Sequence, residues 1–155
     1  MSKPISGLFV GTRGSRERPQ TYNEKEAASE KPREFAACDI RFSQTSVSDS
    51  SEIVESMQEH GWIGEPVDIV VMEDGLLTTL DNTRVAAARQ AGVNVIARVH
   101  QHDELLPNAQ MVERFSTRHG TPTTWGQAVK LRIGKQRNSF KKENPLGSYD
   151  LPTLR

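Results

Sequence analysis

Apolar positions recur along this chain in two periods, and each predicts a different kind of element. Ile53, Val54 and Met57 share one side of "SVSDSSEIVESMQEHGW", which predicts an amphipathic helix. Hydroxyl and carboxylate groups, with Glu52 in the first turn, cap its start, and Gly61 stops it. "PVDIVVM" is an apolar run short enough for a buried strand, with "EDG" as a tight turn and "LLTTL" as the partner strand. "DIRFS" and "VNVIARVH" predict two further strands, and "DNTRVAAARQAG" an alanine-rich helix ended by glycine. Strand alternation sends the side chains of Thr78 and Thr79 to opposite faces.

The last third of the chain is helical. Met111, Val112 and Phe115 predict a short amphipathic helix. "TPTTWGQAVKLRIGKQRNSFKKENP" predicts one longer helix, from a threonine cap to just before Pro145. Its apolar seam is Trp125, Val129, Ile133 and Phe140, and Lys130, Arg137 and Lys141 form a basic stripe on another side. "PLGSYDLPTLR" follows as a tail. At the other end, residues 11–34 are polar and rich in both charge signs, which suits a linker or weakly ordered arm. The preceding "ISGLFV" is either an edge strand or a loose terminus. Three regions result: a polar arm over 1–38, an α/β core over 39–106, and a basic helical segment over 107–155 packed on that core. The predicted fold class is α+β, a small mixed sheet packed with helices and carrying a C-terminal helical extension.

Composition narrows the function. With 155 residues and 35% hydrophobic content, the chain supports one modest core with appendages. No apolar run has the length of a membrane-spanning segment, and the N-terminus lacks a signal-peptide apolar region. Cys38 is the one cysteine, which excludes an internal disulfide and a thiolate cluster. The net charge of zero conceals a polarity: residues 40–106 carry 4 Lys+Arg against 11 Asp+Glu, and residues 107–155 carry 9 against 3. Such asymmetry suits a nucleic-acid or acidic partner at the basic end, or neutralisation of one part by the other within the fold.

The junction "TTLDNTRV" is the first candidate site. A helix that starts directly after a strand offers unpaired backbone N–H groups and a favourable dipole to an anion. Asp81 or Asn82 can cap the helix, Thr83 lies in its first turn, and Arg84 can aim a planar cation at phosphate. The same residues equally describe an Asp cap paired with an Arg one turn on, and nothing more. Arg41, Ser43 and Gln44 in "RFSQTS", with Thr79, are candidates to add a cation, hydroxyls and an amide to the same phosphate, or else to satisfy local backbone groups. "HQHD" (His100 to Asp103) reads as a solvated strand end, and no metal is assigned to it. His119 is either a helix C-terminal cap or a general base. There is no H-E-x-x-H, Walker loop, G-x-S-x-G or C-x-x-C.

The order strand, helix, "PVDIVV", hairpin, "TLDNTRVAAARQAGV", strand resembles the ParB/sulfiredoxin-like fold. In that superfamily a Gly-Glu-Arg-Arg or related box opens a helix followed by small residues. Arg84 matches its final Arg, and Asp81, Asn82 and Thr83 replace the rest. The superfamily's sulfiredoxin cysteine is absent. "TPTTWGQAVKLRIGKQRNSFKKENPLGSYDLP" is similar to the segment that follows ParB-like modules in contact-dependent-inhibition and Rhs-type polymorphic toxins. Together these stretches cover roughly residues 39–152.

The resemblance implies a toxin domain delivered as the C-terminal part of a larger secreted protein and active as a nuclease in the target-cell cytoplasm. It also implies a nucleic-acid substrate, DNA favoured over RNA, and a cognate immunity protein. In that reading Asp81 and Arg84 are catalytic, with Gln44 and His119. Arg41, Ser43, Thr79, Asn82, Thr83, Lys130, Arg137 and Lys141 hold phosphate. Mg²⁺ is the candidate cofactor, which needs Asp68, Glu73 or Asp74 to converge with Asp81; the alternative is metal-independent catalysis. Two other readings stand beside it: an ATP- or CTP-dependent phosphotransferase or hydrolase, and a non-enzymatic DNA-binding or interaction module.

Overall fold

The computed structural model describes residues 31–154. "ISGLFV" and most of the polar arm lie outside that range. A five-stranded mixed sheet runs in the order β1-β6-β4-β5-β2. Its strands are β1 (Arg33–Phe35), β2 (Ile40–Arg41), β4 (Val67–Val71), β5 (Leu77–Thr79) and β6 (Val95–Gln101). β4 and β6 are parallel, as are β2 and β5, while β1 on β6 and β4 on β5 are antiparallel. With helices on both faces of this sheet, the class is α+β.

Period-2 alternation in β4 divides the interior. Ile69 and Val71 face one cluster, which also takes Met57, Val85 and the run Ala86 to Ala88 from α1 (Ser51–His60) and α2 (Asn82–Ala91). Val70 faces the other, with Leu80, Phe115, Trp125, Val129, Ile133 and Phe140. The alanines let α2 lie close to the sheet. Gly92, in the left-handed conformation at φ 76°, ends it by returning its N–H to the carbonyls of Ala88 and Arg89.

The C-terminal part departs from the predicted elements. α3 (Ala109–Phe115) forms as expected, but the longer helix breaks into α4 (Trp125–Gly134) and α5 (Asn138–Glu143). Gly134 has a low helix propensity, and side chains intercept the last carbonyls of α4. Gln136 Nε2 donates to the carbonyl of Arg132 at 3.2 Å, and Lys141 Nζ to that of Gly134 at 3.4 Å. The apolar seam survives because α5 folds back on α4 and keeps Phe140 in the second cluster. The basic stripe does not, because its spacing assumed an unbroken helix.

The end of the chain is not a loose tail. Phe42 and Ser148 exchange backbone hydrogen bonds, and β7 (Thr153–Leu154) pairs in parallel with β3 (Ser46–Val47). At the other boundary, β1 draws the end of the polar segment into the sheet ahead of Asp39.

Candidate functional site

At the start of α2 nearly every candidate phosphate ligand has a partner within the protein. Asp81 is the N-cap, and its carboxylate accepts from the Arg84 backbone N–H at 3.3 Å and from Arg84 Nε at 3.0 Å. Arg84 NH1 donates to the carbonyl of Glu65 at 2.6 Å, and its guanidinium carbon lies 5.2 Å from the Trp62 ring centroid. The fork therefore closes over the loop after α1 rather than over the free amides of α2. Asn82 is buried: its Oδ1 accepts from the Ser43 N–H at 2.8 Å, and its Nδ2 donates to Ser43 Oγ and Gln44 Oε1. Ser43 Oγ donates to the carbonyl of Thr79, and Thr79 Oγ1 accepts from the Asp81 N–H. Thr83 is half-buried in the first turn. The Asp cap with its paired Arg, the plainer of the two sequence readings, is the arrangement present.

Arg41 is buried on the far side of β5. It forks onto both oxygens of Asp74 at 2.7 and 3.0 Å and donates to the carbonyls of Leu76 and Leu77 and to Thr78 Oγ1. Burial alone would raise the Asp74 carboxyl, but hydrogen bonds from Arg41 and the Leu76 N–H outweigh it and hold the group below its ordinary value. Glu73 is likewise lowered, with burial opposing and the Lys130 ammonium prevailing. Asp68 faces His100 Nε2 at 2.9 Å. Each carboxylate that a magnesium site would need thus has its own cation, and among the described residues no three His, Cys, Asp or Glu side chains group to hold a metal. Among the described residues the donor set does not fit Mg²⁺.

His100 corrects the reading of "HQHD" as a solvated strand end. Only 15% of its side chain is exposed, between Asp68 and Glu104. His102 Nδ1 faces the carbonyl of Val71 at 3.2 Å. His119 is not a helix cap either, since Ser116 is the C-cap of α3. It sits at the corner of a tight turn closed by the Thr117–Gly120 bridge.

That turn forms one wall of a groove of about 530 Å³ whose other walls are the end of α4 and the start of α5. Arg118, His119, Lys135, Asn138 and Lys141 line it, and no carboxylate does. Arg118 Nε makes a long 3.5 Å contact to His119 Nε2. Of the predicted stripe, Lys141 reaches this groove, Lys130 turns away to Glu73, and Arg137 is the exposed N-cap of α5.

Sequence reasoning missed Arg118, Lys135 and Arg132. Arg132 NH1 donates to the carbonyl of Leu80 at 3.2 Å and contacts Gln44 Oε1 at 3.4 Å. Burial lowers its pKa below the ordinary value, the Arg114 charge adds to that, and Asp81 opposes it. The available signal was the excess of basic residues after Leu106, read without insisting on helical spacing.

The fold and groove together define an α+β domain with a cationic C-terminal face. Comparison with known proteins yields no match to any family model, and none to any curated protein.

Proposed function

We propose that the chain binds nucleic-acid backbone in the groove between Arg118, Lys135 and Lys141 and cleaves phosphodiester bonds there. One arrangement carries the reading: three cations and an imidazole converge on a groove with no carboxylate in its lining. Phosphate is the anion such a set favours, and the cations can stabilise the charge that develops on phosphorus-bound oxygens. His119 accepts the proton of the attacking oxygen, that oxygen bonds to phosphorus, and the bond from phosphorus to the leaving sugar oxygen breaks, its electron pair staying on that oxygen, which takes a proton from water. Because Asp81 and Arg84 are bound to each other, they have no part in this step.

Membership of the ParB/sulfiredoxin-like superfamily is part of the same proposal. So are delivery as the C-terminal part of a larger bacterial toxin, action in the target-cell cytoplasm and a cognate immunity protein. All rest on the resemblance of "TLDNTRVAAARQAGV" and of the stretch from Thr121 to Pro152. The test is induced expression in bacteria, with genomic DNA and total RNA resolved on gels. Degradation by the native chain and its loss in His119→Ala support cleavage at the groove. Undiminished degradation by His119→Ala refutes it.

A second reading is a nucleic-acid-binding module that cleaves nothing. Arg118 favours it, because its contact occupies one ring nitrogen of the lone imidazole in the groove. Salt-sensitive binding without degradation distinguishes it.

A further inference from the structure

Beside the basic groove lies a second depression of about 580 Å³, floored by Ile133, Pro145 and Leu146 and edged by Glu73, Lys130 and Lys141. The two share Gly134 and Lys141. A Cβ built on Gly134 would meet no heavy atom within 4 Å, so the ridge between the depressions is bare backbone. Lys141 belongs to both, and its ammonium is held on the Gly134 carbonyl at 3.4 Å. Chemically the two are complementary. One side is cationic and polar; the other is aliphatic, with the Lys130–Glu73 ion pair at its edge. A nucleotide has the same two-part character: an anionic phosphate joined to a flat base with apolar faces and a hydrogen-bonding edge.

We infer that the Ile133–Pro145–Leu146 depression is a nucleobase subsite, taking one unstacked base while the adjoining phosphate lies at Lys141 in the groove. The inference rests on the nucleic-acid reading above. The base lies against the aliphatic floor, and its edge meets an acceptor in Glu73 and a donor in Lys130. The volume falls within the range of small-molecule sites. A base that is paired and stacked in a duplex cannot enter, so the arrangement selects single strands.

The test compares three probes by fluorescence anisotropy: a single-stranded phosphorothioate oligonucleotide, the same backbone with abasic positions, and a duplex. The native chain should bind the base-bearing single strand about fivefold more tightly than the abasic one, and the duplex no better than the abasic. Gly134→Leu, which fills the bare ridge, should bring that ratio to about one. Pro145→Glu, at an exposed position lining only the apolar depression, should do so through charge.

Equal affinity of the native chain for base-bearing and abasic strands, or a ratio unchanged in both variants, overturns the subsite. Arg118→Ala with Lys135→Ala separates the two levels. If that variant binds every probe as the native chain does, the groove reading fails and takes the subsite with it. If it weakens all probes alike but the native ratio is one, only the subsite fails. A free mononucleotide that displaces the strand supports the same subsite and makes a nucleotide its ligand.

Discussion

The imidazole of His100 lies flat against the indole of Trp125, ring centroids 3.8 Å apart and planes 11° from parallel. His100 belongs to β6 and Trp125 opens α4, so the stack fastens the sheet to the C-terminal helices. Both ring nitrogens of His100 face carboxylates, Nε2 to Asp68 and Nδ1 to Glu104, each at 2.9 Å. Burial alone would lower the imidazole pKa. Hydrogen bonds to Asp68 and Glu104, and their charges, outweigh it and raise the group above its ordinary 6.5.

Stability should therefore depend on alkaline as well as acid pH. A raised histidine contributes fully below its unfolded pKa and loses that contribution as pH rises through the folded value. Thermal melts of the native chain should show a fall in midpoint above the ordinary histidine range. His100→Phe keeps a ring on Trp125 but removes both carboxylate hydrogen bonds. It should cost on the order of 1–3 kcal/mol near neutral pH and flatten the alkaline limb. A limb unchanged in the variant would assign the dependence elsewhere.

Arg41 and Asp74 govern the acid side. The Asp74 carboxyl is lowered, so its contribution is present above the unfolded pKa and is lost as pH falls through the folded one. Asp74→Asn leaves the buried Arg41 guanidinium without its counter-ion. Since Asp74 is about a third exposed, water moderates the loss, and about 2 kcal/mol is expected rather than the full cost of breaking a buried pair. Urea denaturation near neutral pH measures it. The variant should also lose less stability than the native chain on acidification.

Two glycines of α4 should respond in opposite directions. A Cβ at Gly126 would sit 2.7 Å from both the Cβ and the carbonyl oxygen of His102, because α4 starts hard against the end of β6. Gly126→Ala should destabilise by about 1–3 kcal/mol. Gly134→Ala meets nothing and should be neutral or stabilising by about 0.5–1 kcal/mol. Denaturation midpoints of the two variants decide this directly.

Arg84 should prove dispensable for any cleavage. A phosphate-holding Arg84 would make its replacement abolish activity, as the sequence pattern suggests. With the guanidinium bound to Asp81 and to the Glu65 carbonyl, Arg84→Ala should keep cleavage within about twofold and cost about 0.5–1 kcal/mol of stability. Asp81→Ala should cost about 1 kcal/mol through loss of the helix cap. Loss of degradation by a folded Arg84→Ala would return the active site to the start of α2.

Interactions that close within a few residues were legible from the order of residues alone. The helices α1, α2 and α3, the hairpin of β4 and β5, and the Asp81 cap with its Arg84 partner all follow from local period and spacing. The seam of Trp125, Val129, Ile133 and Phe140 was legible as core for the same reason, even though the helix carrying it divides. Its break was not legible, because it depends on Gln136, which also accepts hydrogen bonds from Thr45, 91 positions away.

Charge partners show the limit most clearly. Arg41 meets Asp74 across 33 positions, His100 meets Asp68 across 32, and Lys130 meets Glu73 across 57. Sequence by itself determined the apolar faces of α1, α2, α3, β4 and β5, because periodicity is a property of neighbouring positions. Tertiary structure alone decided which cations remain uncommitted to a carboxylate. Coulombic and hydrogen-bond partners are chosen by distance in space, and the pairing of strands and docking of α4 set those distances.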